Sequence, residues 1–200
     1  MKRNSKYKLA IFDFDDTLVH LDIDWEKVKI ELIEKVEADG TKIPERIKSA
    51  DPMDAANYLS ERGYKELVVS DFRKNEDDCV RRGGCTIFPS MMRLLKELKA
   101  AGYLIAIASG NTTITINEVL SKEGISPDFI AGQDSIRVNK PYPDILNLIL
   151  RQLKVGKEEA IFIGNSSFDA RAGKNAGIKT IIIKPNNEKD VALLSKLLLH

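Results

Sequence analysis

The feature that most constrains the fold is a short apolar run that ends in acidic residues. Residues 9–12 read Leu-Ala-Ile-Phe, and Asp13 and Asp15 follow with a single phenylalanine between them. A continuous apolar run of this length, bounded by polar residues, is typical of a strand buried in a parallel sheet. In open α/β sheets, ligands bind just beyond the carboxyl ends of such strands. The pattern therefore predicts a functional site around Asp13 and Asp15.

The spacing of these two carboxylates indicates a shared ligand. In extended backbone, residues two apart point to the same side, and a bare pair of carboxylates would repel. A hard cation such as Mg²⁺, which prefers oxygen ligands and substrate phosphate, removes that conflict. Acidic residues also end strands without binding anything, and the pair alone leaves this interpretation open. A calcium loop fits poorly, because Leu18 stands where such a loop needs glycine.

Composition narrows the class of protein. The 200 residues, 43% of them hydrophobic, provide for one core domain with a modest insertion, and the net charge is +1. This balance argues against nucleic-acid binding through a basic stripe. The apolar runs all fall short of the ~20 residues that cross a bilayer, so we expect a cytoplasmic protein without membrane contact. The sequence leaves the oligomeric state open.

Residues 19–85 read as an insertion that consists of helices and has no strand of its own. Apolar residues recur at helical spacing over about 24–38, where Asp24 is the expected N-cap. Further helices are expected after Pro44, from 52 to about 62, and from 64 to about 82. The insertion is therefore expected to form a compact helical cap.

The rest of the chain, residues 1–18 and 86–200, reads as a single α/β core. Helices alternate with short apolar strands, which predicts a doubly wound parallel sheet. After the first strand, the expected strands are residues 103–108, 129–131, 160–163 and 180–183. The expected helices are about 90–101, 112–123, 141–153, 167–176 and 193–199.

The acidic segment resembles the first motif of the haloacid dehalogenase superfamily, whose members are mostly Mg²⁺-dependent phosphatases. That motif, Asp-x-Asp-x-Thr, reads here Asp13-Phe14-Asp15-Asp16-Thr17. The resemblance implies that Asp13 is the nucleophile that attacks phosphorus. It implies that Asp15 protonates the leaving alcohol and then activates water, and that Thr17 contributes to phosphate binding. It also implies a Rossmann-like core with a cap inserted after the first strand.

Two further motifs follow at strand ends. Ser109 and Gly110 come directly after an apolar strand, where a hydroxyl beside a helix start can bind phosphate or merely cap the helix. Their position is similar to the second motif of the superfamily, which favours phosphate binding. Lys140 begins Lys-Pro-Tyr-Pro, which resembles the third motif of the phosphoglycolate phosphatase-like group. There the lysine neutralises the nucleophile and the phosphate.

The fourth motif departs from the usual Gly-Asp-Ser-x-x-Asp, because residues 164–169 read Gly-Asn-Ser-Ser-Phe-Asp. Asn165 thus replaces an acid that normally binds Mg²⁺. Its amide oxygen can still coordinate, but the lost charge should lower metal affinity. Asp169 can help through a water, hold Lys140, or form a capping pair with Ser166. The metal ligands implied by the resemblance are Asp13, Asp15 through its backbone carbonyl, Asn165 and Asp169.

These motifs together predict a Mg²⁺-dependent phosphatase that acts on a small phosphorylated metabolite. Phosphoglycolate is the leading candidate, followed by nucleotides and sugar phosphates. An inactive or weakly active relative that binds phosphorylated ligands or a protein partner stays open because of Asn165, and so does a phosphomutase. A true dehalogenase fits poorly, because those enzymes lack the acid/base found here as Asp15.

Overall fold

The computed structural model describes residues 6–199, so residues 1–5 and 200 of the expected core lie outside it. In chain order the elements are β1 (Leu9–Phe12), β2 (Val19–Leu21), α1 (Trp25–Ala38), α2 (Glu45–Lys48), α3 (Pro52–Leu59), α4 (Lys65–Arg81), β3 (Cys85–Ile87), α5 (Pro89–Ala100), β4 (Leu104–Ala108), α6 (Thr113–Lys122), β5 (Phe129–Ala131), α7 (Asp144–Leu153), β6 (Ala160–Gly164), α8 (Ser167–Ala176), β7 (Lys179–Ile182) and α9 (Glu188–Leu199). Within the described range, every helix is too short or too polar to traverse a bilayer.

The core is a five-stranded parallel sheet in the order β5-β4-β1-β6-β7. β1 is central, and its four residues are buried. Its side chains alternate between two apolar clusters: Ala10 and Phe12 pack with α5, α6 and α9, whereas Leu9 and Ile11 pack with α7 and α8. Helices therefore cover both faces, which confirms the predicted doubly wound α/β fold.

The inserted segment folds around an apolar core of its own. Side chains of α1, α2, α3 and α4 form this third cluster, in which the rings of Trp25 and Phe72 lie 5.0 Å apart. Asp24 caps α1 by accepting the Lys27 N–H, as expected. Gly63, expected to end a helix, has φ +95° in the turn between α3 and α4, a conformation that L side chains rarely adopt.

The prediction that the insertion lacks strands was wrong at its two ends. β2 and β3 pair antiparallel, with His20 opposite Thr86, and connect the insertion to the core. Val19 and Leu21 are buried on either side of the exposed His20, but a three-residue alternation is too short to identify a strand. Its partner lies more than sixty positions away in the sequence, so only the tertiary structure reveals the pair.

Two helix starts also differ from the expectation. α7 begins at Asp144 rather than Pro141, because a turn precedes it, in which the Tyr142 N–H donates to the Asn139 carbonyl at 3.2 Å. α9 begins at Glu188 rather than Leu193, because the Asn187 side chain accepts the Lys189 N–H at 3.1 Å and starts the helix earlier.

Candidate active site

Three buried charges meet where β1 and β6 end. Asp13 follows β1, and its N–H donates to the Ile163 carbonyl of β6 at 2.8 Å. The Lys140 ammonium lies 2.6 Å from Asp13 Oδ1 and 2.6 Å from Asp169 Oδ1. Asp13, Lys140 and Asp169 are at most 5% exposed. The fold thus brings together charges that lie 127 and 29 positions apart in the sequence.

Burial and mutual attraction decide the charge state of this cluster. Burial alone would lower the pKa of Lys140, but the two carboxylates raise it well above its ordinary value, so the ammonium stays charged. Burial opposes ionisation of Asp169, but Lys140 and Ser166 outweigh it and lower its pKa. Burial raises the pKa of Asp13 to about 7, because the attraction of Lys140 does not offset it. With both acids ionised, the cluster carries an uncompensated negative charge.

Asp169 is held by protein groups through both carboxylate oxygens. Oδ1 accepts from Lys140, and Oδ2 accepts the Ser166 N–H at 3.0 Å and the Ser166 hydroxyl at 2.6 Å. With Ser166 it forms a capping box at the start of α8. A Cβ at residue 164 would lie 2.5 Å from the Asp169 carboxyl carbon, so Gly164 makes room for it. Two of the three roles expected for Asp169 are observed, and metal binding stays a prediction.

Asp15 faces the insertion rather than Lys140. β1 ends at Phe12, so Asp13 and Asp15 both lie just beyond the strand. Asp15 accepts the Leu21 N–H at 2.8 Å and a long hydrogen bond from Trp25 Nε1 at 3.4 Å. Burial raises the pKa of Asp15 to about 6, more than the Leu21 hydrogen bond lowers it. Asp13 and Asp15 nevertheless line one cavity.

Thr17 holds two of the predicted metal ligands. Its fully buried hydroxyl lies 3.0 Å from Asp13 Oδ2 and 3.4 Å from Asn165 Oδ1. This makes Thr17 a positioning residue, and its contact with phosphate stays a prediction. Asp13, Asp15 and Asn165 line one cavity, and the oxygen ligands that these residues offer fit a hard divalent cation.

A second acidic group lies at the mouth of the cavity. Within residues 6–199, ligand atoms of Asp15, Asp16 and His20 lie within 4.8 Å of one another. His20 Nδ1 is 2.7 Å from Asp16 Oδ1, and both side chains are exposed. This acidic group includes an imidazole and exposed side chains, so it fits Mg²⁺ less well than the oxygen ligands of Asp13, Asp15 and Asn165.

Two of the predicted phosphate-binding residues, Ser109 and Gly110, lie at the end of β4 and line the same cavity. The Ser109 hydroxyl is buried and donates to Asn111 Oδ1 at 2.8 Å. Met53 of α3 lies over Gly110 so closely that an added Cβ would stand 2.3 Å from its methyl group. The insertion thus approaches the end of β4 closely through the flexible Met53 side chain.

The sequence reasoning missed Glu76, a fully buried acid of α4. Its carboxylate accepts the Thr112 N–H at 3.1 Å, the Thr112 hydroxyl at 2.5 Å and the Asn111 amide at 3.1 Å. Burial raises the pKa of Glu76 despite these hydrogen bonds. Because α6 starts at Thr113, Glu76 caps a core helix from the insertion. It lies in the run Lys-Asn-Glu-Asp-Asp, which resembles a solvated helix face.

Asn57 of α3 is a second anchor that the sequence did not indicate. Its Oδ1 accepts the Asn139 N–H at 2.6 Å, and its Nδ2 donates to the carbonyls of Asn139 and Lys140 at 3.2 Å each. The Asn139 side chain in turn donates to the Ser109 carbonyl at 3.0 Å. Helices of the insertion therefore hold both loops that carry the predicted phosphate ligands.

The cavity has a volume of about 250 Å³. Its lining residues are Asp13, Asp15, Asp16, Trp25, Asp51, Pro52, Met53, Phe72, Ser109, Gly110, Asn111, Lys140, Asn165, Ser166 and Phe168. Arg81 and Arg82, considered as contacts for a substrate anion, pair instead with Asp78 and Asp22. The sequence-predicted residues supply the floor of this cavity, and the insertion supplies most of the rest.

Comparison with known proteins agrees with this architecture. The pyrophosphatase PpaX of Bacillus velezensis is 36% identical over 97 residues, 48% of this chain and 45% of that protein. A phosphoglycolate phosphatase of Vibrio vulnificus is 32% identical over 46% of this chain and 41% of that protein, so the match spans less than half of either relative. The crystal structure of CbbY from Rhodobacter sphaeroides in complex with phosphate superposes with a TM-score of 0.56 at 23% identity, covering 88% of this chain and 85% of that one. The family model for haloacid dehalogenase-like hydrolases matches residues 10–183, and the chain belongs to that family.

Proposed function

We propose that the protein is a Mg²⁺-dependent phosphatase that hydrolyses a small phosphomonoester through an aspartyl-phosphate on Asp13. The observation that carries this proposal is the buried Lys140 ammonium, 2.6 Å from Asp13, with Asp15 on the same cavity. A nucleophile, an acid/base and a fixed positive charge are thus available to one phosphoryl group. The relatives named phosphatase and pyrophosphatase support a phosphorylated small molecule as substrate.

In the first step, a carboxylate oxygen of Asp13 attacks phosphorus. The bond from phosphorus to the alcohol oxygen breaks with its electron pair on that oxygen, which takes the proton of the Asp15 carboxyl group. A pKa of about 6 keeps part of Asp15 protonated near neutral pH. Lys140, the Ser109 hydroxyl and the Gly110 N–H bind the phosphoryl oxygens and offset the charge that develops on them.

In the second step, Asp15 accepts a proton from water, and the water oxygen attacks phosphorus. The bond between phosphorus and Asp13 breaks, which releases phosphate and restores both side chains. The insertion, which we assign as a cap, covers the cavity and reduces the access of bulk water. Asn57 and Glu76 act here as positioning residues, because they hold the loops of Lys140 and Ser109.

Mg²⁺ would be held by Asp13, the backbone carbonyl of Asp15, and Asn165, and would neutralise and orient the phosphate when bound. Asn165 supplies a neutral oxygen, so we expect a higher Mg²⁺ requirement than a carboxylate at this position would give. Asp169 acts through Lys140, which its Oδ1 contacts at 2.6 Å.

The proposal is tested by measuring phosphate release from a panel of phosphomonoesters across a Mg²⁺ titration. We expect release that depends on Mg²⁺ for wild type and for Asn165→Asp. A lack of release from every substrate by both proteins, even at high Mg²⁺, would overturn the hydrolase. It would favour the second candidate, a relative that binds phosphorylated ligands, which the replacement of an acid by Asn165 supports.

A rearranged phosphate ester without free phosphate would indicate a mutase. The cytoplasmic location stays a prediction.

A further inference from the structure

The charges around the cavity leave nothing to bind a second anion. Among the described residues that line it, Lys140 is the one basic side chain. Its ammonium already contacts Asp13 and Asp169 at 2.6 Å. Asp16 and Asp51, both exposed, add negative charge at the mouth.

The basic side chains near this mouth are paired or lie outside the lining: His20 pairs with Asp16, and Arg171 stacks on the ring of Phe168 at 4.6 Å. Lys29 donates to the Ala50 carbonyl at 2.9 Å and pairs with Glu26 at 2.5 Å. Lys48 pairs with Glu37 at 2.8 Å. A carboxylate or second phosphate on the substrate would therefore lose hydration and meet the carboxylates of the mouth, while the described lining offers it no basic side chain beyond Lys140.

The rest of the lining suits a small apolar body. Trp25, Met53, Phe72 and Phe168 contribute aromatic rings and a thioether. A cavity of about 250 Å³ has room for a phosphoryl group and a leaving alcohol of a few heavy atoms. Aromatic faces next to carboxylates also attract an ammonium group, both through the rings and through the charges.

We propose that this cavity selects phosphomonoesters whose leaving alcohol carries no negative charge, and that it favours a small alcohol bearing an ammonium group. The inference rests on the proposed phosphatase function and concerns its substrate class. It departs from phosphoglycolate, the candidate that the motifs favour, because phosphoglycolate brings a carboxylate into a site whose described lining has Lys140 as its one basic side chain, already paired with two carboxylates.

The test uses three two-carbon phosphates that differ only in the terminal group. Phosphoethanolamine carries an ammonium, 2-hydroxyethyl phosphate a hydroxyl and phosphoglycolate a carboxylate. We expect kcat/KM to fall in that order, with about tenfold between the ammonium and the carboxylate substrate. Binding of the same three compounds, measured by calorimetry, should follow the same order.

Asp51→Asn tests the charge at the mouth. Asp51 caps α3 by accepting the Met53 N–H at 2.9 Å, and asparagine retains this function. We expect the ratio of kcat/KM for phosphoethanolamine to that for phosphoglycolate to fall about threefold. Intrinsic reactivities cancel when this ratio is compared between variant and wild type. Asp54→Asn is the matched control, because Asp54 is exposed on the same helix outside the cavity lining, so its ratio should equal that of wild type.

The outcomes separate this inference from the proposed function. If phosphoglycolate is hydrolysed best, or if Asp51→Asn and Asp54→Asn shift the ratio equally, the charge selection is wrong and the phosphatase stands. If none of the three is hydrolysed but binding follows the expected order, the selection stands, and the hydrolase fails only if the wider panel of phosphomonoesters also gives no release. Equal binding of all three compounds overturns the selection whatever the catalytic result.

Discussion

The floor and the roof of the cavity differ in the kind of side chain that forms them. The floor, from the core, consists of Asp13, Ser109, Gly110, Lys140 and Asn165, and the roof, from the insertion, consists of Trp25, Asp51, Pro52, Met53 and Phe72. In the floor, buried charges of opposite sign contact one another. The roof combines apolar side chains with an exposed carboxylate. The floor holds the groups proposed for phosphoryl transfer, whereas the roof holds the groups proposed to select the alcohol.

The two regions nevertheless share buried polar contacts. Glu76 and Asn57 of the insertion hydrogen-bond to the loops that carry Ser109 and Lys140. Removing such a contact leaves buried donors without partners, which costs more than the contact itself contributes. The roof therefore contributes to the geometry of the floor through residues other than those that line the cavity.

The largest effect should come from the floor. Asp13→Asn removes the proposed nucleophile, and we expect turnover to fall by about a thousandfold or more. Acid-quenched single turnovers should show phosphate bound to the wild-type protein and none on the variant. A phosphorylated Asp13→Asn protein would assign the nucleophile to another residue.

A smaller loss of activity should follow when the hydrogen bonds between a roof helix and the loops of the floor are removed. Glu76→Ala leaves the Thr112 N–H and the Asn111 amide unpaired, so we expect the free energy of unfolding to fall by about 2 kcal/mol. The activity should fall with it, because Asn111 positions Ser109.

Glu76→Gln keeps one acceptor oxygen and should restore part of both quantities, measured by denaturant titration and by kcat. Glu66→Ala, an exposed position on the same helix, is the matched control and should change neither. A loss of stability in Glu76→Ala without any change in kcat would separate roof from floor and contradict the positioning role.

Asp15, at the junction of the two regions, should give the reaction its pH dependence. The proton that it donates is present below its pKa of about 6, so the rate of alcohol release from an alkyl phosphate should fall about tenfold per pH unit well above that value.

p-Nitrophenyl phosphate, whose leaving group departs without a proton, should lack this fall and report the titration of the remaining groups. The measurement is a single-turnover rate from about pH 5 to pH 8 at saturating Mg²⁺. Parallel profiles for the two substrates would mean that Asp15 does not act as the acid.

The smallest effect is expected at Asn165, the floor residue that departs from the usual fourth motif. Asn165→Asp adds a negative charge to the oxygen donors, so we expect half-maximal activity at about fivefold lower Mg²⁺. A titration of Mg²⁺ against kcat measures it, and an unchanged requirement would place the metal away from residue 165.

Local chemistry made the core predictable from the sequence. The run Leu9–Phe12 is a buried strand as expected, because a short apolar run between polar residues is too short for a typical helix and favours a strand. α8 spans Ser167–Ala176 as predicted, because Ser166 and Asp169 supply a capping box that lies within four residues. Asp13, Ser109 and Asn165 directly follow strand ends, and parallel strands bring those ends to one edge of the sheet.

The features that only the tertiary structure decided depend on contacts between residues that lie far apart in the sequence. Asn57 meets Asn139 across 82 positions, and Glu76 meets Thr112 across 36. No periodicity marks such residues, because a helix face that binds another segment carries the same polar side chains as one that faces water. The sequence by itself determined which chemistry is present and on which strand ends it lies. The structure decided which neighbours hold it and what charge surrounds the substrate, because burial and pairing are properties of the assembled fold.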